Sequence, residues 1–512
     1  MLLSSAIISL LSLLSSLISF VNQMLIANMF GSSIHLDAYL ISVSIPLLIS
    51  GIISGLFSYS VVPTLVRRRT TDPEGYSYFV GSVFLVFIAL SVCLSCLACF
   101  FSPSLLRLMA PTLPVSVIAE ATQMAQISWM NLTFVVIVNY LVAVHNAGKK
   151  FIAAVLVNIL PTLGMMTGMT LLVSHLGVAS ILWGSLGGYL IGIPFLYVGV
   201  AKEIRFKLIS INLWQDIQAL FANLPLVLIS MLCFTIYGTV DAIWASRLGP
   251  SNLSYLGYGQ RLVISIGNIV ILGPWLILTP YLAEYASLGE HIQFQNMLAK
   301  SLRIVVLFSA LLALVVSFLR IPLIHLLFQR GAFDAFSTLG VASVLPGMLF
   351  GMVAMLSVAL IIKALHARGD VKVAAIIGIF CTVCYFGLSG LLSQFIGLQG
   401  IVYAYAITWW FSLGISIWYI WKNELKNWLS PINIRFIICL LCGLVSSEMC
   451  MQVVTKLLIN LFPQNSKIDL ILSTSVTASV GVIVFLFLTG GVFRMPELMI
   501  FYKSIVSRNQ SS

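Results

Sequence analysis

A twelve-residue stretch of this chain occurs twice, at residues 143–154 and again 221 positions later at residues 364–375. The two copies are identical at the pairs Ala143/Ala364, His145/His366, Gly148/Gly369, Ala153/Ala374 and Ala154/Ala375. The alternative is a chance similarity between two segments rich in Ala and Gly. A duplication on this scale is typical of membrane transporters with two related halves, and this is what we predict here.

The composition places the chain in a lipid membrane. Hydrophobic residues make up 60% of the sequence, charged residues 8%, and the mean hydropathy is +1.09. An average soluble domain carries about 25% charged residues, so this chain has more apolar surface than a water-soluble fold buries. Because one membrane helix needs about 20 apolar residues, the sequence predicts about fourteen spans. They lie at roughly 2–29, 36–66, 79–101, 122–146, 151–174, 178–200, 218–247, 252–283, 302–328, 339–365, 371–395, 397–421, 433–458 and 468–492.

Two shorter similarities extend the duplication along the chain. Residues 177–181 resemble residues 397–401 at an offset of 220, and residues 27 and 31 match residues 245 and 249 at an offset of 218. Six spans are an even number, so both copies insert in the same direction. We predict an all-α polytopic membrane protein of two parallel-repeat six-helix bundles, at residues 1–205 and 206–430. Two additional C-terminal helices and a basic cytoplasmic tail follow at residues 431–512.

The basic residues predict which side of the membrane each loop faces. The chain has 26 Lys and Arg residues and a net charge of +11. If both termini lie in the cytoplasm, most of these residues fall in cytoplasmic loops, as the positive-inside rule requires. They are spread over short loops, which argues against nucleic acid as a partner.

No motif for catalysis or metal binding is found in the sequence. Cys381 and Cys384, like Cys439 and Cys442, have a C-x-x-C spacing, but these pairs lie inside predicted spans without His partners. A nucleophile elbow, a phosphate-binding loop and an HExxH motif are absent. We predict a protein that is not an enzyme and has no cofactor or metal. Active transport would then depend on an ion gradient, the membrane potential or the gradient of the substrate.

Arg261 is the main candidate for a substrate-binding residue, because it is a charge inside the predicted eighth span. It lies roughly 13 Å from the outer end of that span, at about 1.5 Å per residue. An Arg at this depth costs about 2.5–3.5 kcal/mol on insertion scales, so it is expected to face a polar cavity. Its planar guanidinium suits a phosphate or diphosphate. The alternative is an internal ion pair with Asp241 of the seventh span.

The predicted first span is polar without being charged. Ser15, Ser19 and Asn22 share one helical face through their i, i+4, i+7 spacing. Ser16 and Gln23 add further polar groups. Such a stripe either lines a cavity or forms hydrogen bonds between helices, and the sequence leaves both readings open.

Several short motifs occur in a specific order along the chain. Phe30-Gly-Ser-Ser-Ile-His-Leu-Asp-Ala-Tyr39 is followed by an Ile-Pro pair and a Val-Pro pair. Tyr258-Gly-Gln-Arg-Leu262 and the segments 327–334 and 364–372 come later. Their order and spacing resemble the MurJ/MviN family of lipid II flippases over nearly the whole chain. The resemblance implies a flippase of the multidrug/oligosaccharidyl-lipid/polysaccharide superfamily, in which spans 13 and 14 border a groove for the polyprenyl tail.

The resemblance also implies a substrate, a location and a site. The substrate is a lipid-linked oligosaccharide, which alternating access carries across the bacterial inner membrane between two lobes. Cell-wall synthesis machinery and an ion gradient are the implied partners, although span 11 lacks the Asn or Asp of a sodium site. The cavity arginines of the family's spans 1 and 2 fall here on Ser16, Asn22 and Ser50, so only Arg261 keeps its charge. We predict that Arg261 holds the diphosphate, with further roles for Ser16, Asn22, Gln23, Gln260 and Ser50 as polar contacts, Asp37 at the outer gate and Asp241 as an ion-pair partner.

Three alternatives stay open at the level of sequence. An O-antigen or exopolysaccharide precursor could replace lipid II as the transported lipid. A drug or cation antiporter of the same superfamily would favour buried acids over a lone Arg. A membrane scaffold without transport activity would explain the lost arginines directly.

Overall fold

The computed structural model of the protein describes residues 2–206, 218, 235–424, 434–461, 467–493 and 495, and all regular secondary structure in these residues is helical. The α-helices are α1 (Leu2–Phe30), α2 (Ile34–Leu56), α3 (Val62–Thr71), α4 (Pro73–Met109), α5 (Val115–Ala147), α6 (Phe151–Leu176), α7 (Ser180–Val200), α8 (Tyr237–Ala245), α9 (Asn252–Leu288), α10 (His291–Phe318), α11 (Arg320–Phe328), α12 (Ala335–Ala367), α13 (Val371–Ile396), α14 (Leu398–Glu424), α15 (Ile434–Leu461) and α16 (Lys467–Leu486). Two π-helices, Phe57–Val61 and Phe487–Val492, continue α2 and α16.

The helices agree with the predicted membrane spans. In the described parts of the chain, 11 stretches are long and apolar enough to cross a membrane, and the one at 151–203 contains both α6 and α7. Every predicted span except the seventh falls on helices of the structure, and the ninth is divided between α10 and the short helix α11. The seventh, at 218–247, lies largely outside the described residues, and α8 forms its end. The predicted fold class, an all-α polytopic membrane protein, is confirmed.

The loops that end equivalent helices in the two halves of the sequence share one backbone conformation. Gly177 ends α6 with φ 54° and ψ −133°, and Gly397 ends α13 with φ 59° and ψ −136°. Each glycine N–H donates to the carbonyl four residues earlier, that of Val173 or Ser393. Only glycine adopts such a conformation readily, so the sequence offset of 220 is also an offset in structure.

The loop whose sequence is most similar between the two halves is aligned differently by its backbone. The structural alignment is shifted by one residue from the sequence alignment. After α5 the N–H of Lys150 donates to the carbonyl of His145, and after α12 the N–H of Asp370 donates to that of Leu365, both at 2.9 Å. The residue with positive φ is Lys149 (59°) in one loop and Gly369 (84°) in the other. Gly369 therefore corresponds in backbone conformation to Lys149 and not to Gly148. The sequence match follows small side chains, whereas the loop requires one left-handed residue at a fixed place.

The described helices form two compact units. The first unit contains residues 1–257 and 330–334, and the second contains residues 258–329 and 335–512. In the first unit α4 packs on α5, α5 on α7 and α6 on α7. In the second unit α10 packs on α12, α12 on α14 and α13 on α14. A duplication of six helices would produce this recurrence, while the predicted domain boundaries stay a prediction.

Each unit has its own apolar core. In the first unit the rings of Phe57 and Phe87 lie 4.9 Å apart and the Phe84 and Tyr140 rings 5.3 Å apart, and the Tyr140 hydroxyl donates to the Val80 carbonyl at 2.7 Å. In the second unit α15 and α16 bury Met451 and Phe485 in a cluster that includes side chains of α10. The two C-terminal helices are therefore packed against α10 within the second unit through an apolar interface.

Helices α6 and α7 approach each other so closely that glycine is required at the contact. A Cβ atom added at Gly164 would lie 2.3 Å from the carbonyl oxygen of Gly184. A Cβ atom added at Gly188 would lie 2.3 Å from the carbonyl oxygen of Leu160 and 2.6 Å from the Cα of Pro161. These neighbours are backbone atoms that cannot rotate away, so the two helices must separate to admit a side chain.

We expect Gly188→Ala to destabilise the first unit by about 1–3 kcal/mol, the usual cost of overpacking. The neighbouring glycine is a matched control, because a Cβ atom at Gly187 meets nothing within 4 Å. Gly187→Ala should leave stability unchanged or raise it, since Ala favours helix over Gly. Thermal unfolding of the two purified variants in detergent measures the difference, and equal melting temperatures would contradict the close packing.

Candidate functional site

Asn22 is the most deeply buried of the predicted polar contacts. Its exposed fraction is 3%, and its Nδ2 lies 3.8 Å from the sulfur of Met165 on α6. Its Oδ1 is also buried and accepts no hydrogen bond from any residue that the structure describes. A buried oxygen without a donor costs about 1–3 kcal/mol. Asn22 thus carries an unused acceptor that an apolar residue at this position would avoid.

The rest of the predicted polar face of α1 is more exposed. Ser19 is exposed and Gln23 is half-buried. Ser16 is also exposed, and its hydroxyl donates to the carbonyl of Ser12 in its own helix at 3.0 Å. Because this local bond satisfies the hydroxyl, Ser16 is a weaker candidate for a ligand contact than Asn22.

On α2, Ser50 lies half-buried beside a further polar pair that the sequence reasoning did not single out. The Asn139 Nδ2 donates to the Ser54 hydroxyl at 3.2 Å, which joins α5 to α2. Ser50, Ser54 and Ser58 recur every four residues, a spacing that places them on one helical face. The four-residue spacing of these serines could have been noticed in the sequence. Asn139 could not, because it is a single polar residue in an otherwise apolar run.

Asp37 is buried in the first turn of α2 and is fully engaged by another part of the first unit. Its carboxylate accepts hydrogen bonds from the N–H of Ser251 at 2.6 Å and from the N–H of Ser254 at 2.8 Å. The hydroxyl of Ser254 donates to it as well, while that of Ser251 donates to the Ser32 carbonyl. Since α9 begins at Asn252, Asp37 acts as an N-terminal cap supplied from a distant helix.

Asp241, the predicted ion-pair partner, is buried in α8 with an exposed fraction of 3%. It belongs to the first unit, whereas Arg261 and Gln260 belong to the second. The hydrogen bonds described for the first unit do not join Asn22 to Ser50.

Arg261 and Gln260 lie on the less buried face of α9. The opposite face packs closely within the second unit, where a Cβ atom at Gly259 would lie 2.9 Å from the Cγ2 of Val344. Tyr258 is buried there too, with its ring 5.5 Å from that of Phe328. Arg261 and Gln260 are both half-buried, and Ile264 and Ser265 continue their face as exposed residues. The helix thus presents the guanidinium on a face that other helices of the unit leave partly open.

A group of charges at one end of the first unit was missed by sequence reasoning. Glu203 lies 3.4 Å from the Lys150 Nζ and 3.7 Å from an Arg69 nitrogen. The Lys150 ammonium also donates to the carbonyl of Gly199 at 2.9 Å. From the sequence, these cations indicated only which loops face the cytoplasm. In the structure they also connect the end of α3, the α5–α6 loop and the end of α7.

The described residues offer no obvious place for a metal. No group of three or more His, Cys, Asp and Glu side chains among them is arranged to hold an ion. Cys381 of the first C-x-x-C pair is buried with its sulfur 2.5 Å from the Ser412 hydroxyl, a contact between two helices of the second unit.

Comparisons with known proteins agree on one family. The family described as "Lipid II flippase MurJ" matches residues 26–474 of this chain. The probable lipid II flippase MurJ of Buchnera aphidicola subsp. Acyrthosiphon pisum is 24% identical over 415 residues, which cover 79% of this chain and 80% of that protein. The lipid II flippase MurJ of Burkholderia cenocepacia is 23% identical over 382 residues, or 70% of this chain and 72% of its own length.

Solved structures share the fold at low sequence identity. The structure of "Lipid II flippase MurJ, inward closed conformation" superposes with a TM-score of 0.75 at 17% identity and covers 98% of this chain and 99% of its own. An inward-facing multidrug resistance MATE family transporter of the MOP superfamily gives a TM-score of 0.69 at 15% identity, over 79% of this chain and 93% of its own. At these identities the similarity establishes the fold alone.

Proposed function

Because this chain belongs to the MurJ family of lipid II flippases, we propose that it moves lipid II from the cytoplasmic to the outer leaflet by alternating access. The observation that carries the proposal is the family match over residues 26–474, which takes in nearly all of the spans. The chain is a multi-pass bacterial membrane protein that acts as a transporter and not as an enzyme. Its substrate is a lipid-linked molecule, and the similarity to multidrug transporters is one of fold.

The proposal extends to the residues that contact the substrate. Arg261 holds the diphosphate, because it is a half-buried cation about nine residues inside the 37-residue helix α9. The unused acceptor of Asn22 supports a polar contact with the head group. We assign the same role to Gln23, Gln260, Ser16 and Ser50. We further propose Asp37 as a residue of the outer gate and Asp241 as an ion-pair partner.

The proposal also includes the architecture and setting of the transporter. Residues 1–205 and 206–430 form two parallel-repeat lobes, supported by the shared loop conformations of Gly177 and Gly397. Residues 431–512 supply two further spans and a basic tail. Both termini lie in the cytoplasm. The protein is located in the inner membrane together with the cell-wall synthesis machinery, and the membrane potential or an ion gradient drives transport. Labelling single cysteines at Ser32 and Lys149 from each side of the membrane tests this topology, since they should be reached from opposite sides.

We expect the chain to support growth of a bacterium that has been depleted of its own lipid II flippase. Lipid II should reach the outer leaflet at a rate that follows the amount of the protein. Accumulation of lipid II in the cytoplasmic leaflet, at normal levels of inserted protein, would contradict the proposal. In that case purified protein in vesicles can be tested with the O-antigen type of lipid-linked saccharide.

A further inference from the structure

The hydrogen bond between Asn139 and Ser54 differs in its surroundings from the other amide contact of the same helix. Asn131 of α5 is buried, and its Nδ2 donates twice, to the carbonyl of Leu182 at 3.1 Å and to the hydroxyl of Ser185 at 2.9 Å. Asn139, two turns further along, is only half-buried and makes one hydrogen bond within the described residues, to Ser54. Asn131 therefore joins helices in the interior, whereas Asn139 keeps part of its amide accessible.

Several serines of α2 and of the π-helix that continues it donate their hydroxyls to backbone carbonyls of the same helix. Ser42 and Ser44 of α2 donate to carbonyls of their own helix, those of Tyr39 and Ile41, at 2.7 and 2.8 Å. Ser58 does the same with Ser54, at 3.0 Å. Such local bonds are the usual way in which a hydroxyl is satisfied inside a helix.

Ser50 and Ser54 are the exceptions on this helix. Among the described residues, neither hydroxyl donates a hydrogen bond to a partner, and Ser54 only accepts one from Asn139. Two hydroxyl donors, four residues apart on α2, and the Asn139 Oδ1 acceptor are thus left available.

The position of this group in the membrane requires a polar environment around it. Asn139 lies about 12 Å from the end of α5 at Ala147, at about 1.5 Å per residue. Exposing an amide and two hydroxyls to hydrocarbon at such a depth costs several kcal/mol. Their accessible atoms therefore face water or a polar ligand. A π-helix begins at Phe57, three residues after Ser54, and π-helical turns often occur at functional sites.

We propose that Asn139, Ser54 and Ser50 bind hydroxyl and amide groups of the saccharide portion of the transported lipid. This inference rests on the proposed flippase function and adds to it a site that selects for the sugar. The Asn139 Oδ1 accepts a hydrogen bond from a sugar hydroxyl, and the two serine hydroxyls donate to sugar oxygens. Sites built to hydrogen-bond a substrate reject analogues that lack the partner group, because their own polar groups are then left unpaired. The Asn139–Ser54 bond fixes the amide orientation before the ligand arrives.

The test compares two lipids that differ only in the sugar. Binding of lipid II and of polyprenyl diphosphate without a saccharide is measured on the purified full-length protein in detergent. Asn139→Leu should weaken lipid II binding about tenfold, which corresponds to about 1.4 kcal/mol, and should leave the affinity for polyprenyl diphosphate unchanged. Ser54→Ala should act in the same direction by about threefold, and it decides the question if Asn139→Leu does not fold. Ser58→Ala is the matched control, because its hydroxyl is bonded within its own helix, and it should bind both lipids as the wild type does.

Three results would overturn the inference. If the wild type prefers lipid II to the sugar-free lipid and the folded variants retain that preference, the saccharide site lies elsewhere while the flippase function stands. If the wild type binds both lipids equally, the saccharide contributes nothing to binding, and the inference fails without contradicting the flippase function. If the wild type binds neither lipid, the proposed function loses its substrate and the inference falls with it.

Discussion

Arg261→Ala should abolish lipid II transport while the protein is inserted in the membrane at its normal level. The residue is a half-buried cation within a 37-residue apolar helix, where its charge is costly to insert. Among the cavity positions that the family resemblance identifies, Arg261 alone keeps its charge, so no second cation replaces it there. If Arg261 holds the diphosphate as we propose, its loss should therefore reduce complementation of a flippase-depleted strain to background.

Two further variants separate charge from geometry. Arg261→Lys keeps the cation but loses the planar fork that binds phosphate through two nitrogens, so partial transport should remain. Arg107→Ala is a control, because Arg107 is exposed in the last turn of α4 and its loss should leave complementation intact. Equal activity of Arg261→Ala and wild type would show that the diphosphate is held by other groups.

The structural alternative for Arg261 has its own signature. If its role is to balance the buried carboxylate of Asp241, each single neutral variant should lower the amount of protein, because one charge is stranded. Replacing both residues with neutral ones should then restore both abundance and transport. A functional double variant would therefore support the ion-pair role of Arg261 and exclude the ligand-binding role.

Much of the fold could be predicted because it depends on local sequence. Long apolar runs define the helices, and glycines such as Gly177 and Gly397 mark where equivalent helices end. The duplication was visible for the same reason, since a left-handed residue is needed at the same place in each half. The sequence comparison paired Gly369 with Gly148, one residue away from its structural equivalent. The equivalent is Lys149, which has the same left-handed backbone conformation although it is not a glycine.

The site was less predictable because its features depend on contacts between distant residues. Asn139 is a single polar residue in an apolar run, and only the packing of α5 on α2 brings it to Ser54. The exposure of Ser16 and burial of Asn22 likewise depend on which helices cover α1, which helical periodicity alone does not determine. Asp37 is the clearest case, since its partners follow it by more than 200 residues.

We expect Asp37→Ala to be among the most destabilising single substitutions in the first unit. The Asp37 carboxylate is 2% exposed and accepts hydrogen bonds from the N–H groups of Ser251 and Ser254 and from the Ser254 hydroxyl. Each buried donor left without a partner costs about 1–3 kcal/mol, so the loss should reach about 3 kcal/mol or more. Asp37→Asn should have an intermediate effect, since its oxygen still accepts while its NH₂ group faces another donor. The melting temperature and folded yield of the purified variants measure these effects.

A nearby, less buried acid and a double-variant cycle make this prediction specific. The Glu120 carboxylate lies 2.7 Å from the Nδ1 of His35, which precedes Asp37 by two residues, and both side chains are substantially exposed. Glu120→Ala should therefore cost less than about 1 kcal/mol. Ser254→Ala removes one of the three donors, so Asp37→Ala should cost less in that background than in the wild type. A stable Asp37→Ala protein that fails to transport would instead favour a direct role at the outer gate, because the cap would then be dispensable for folding and the carboxylate needed only for movement of the substrate.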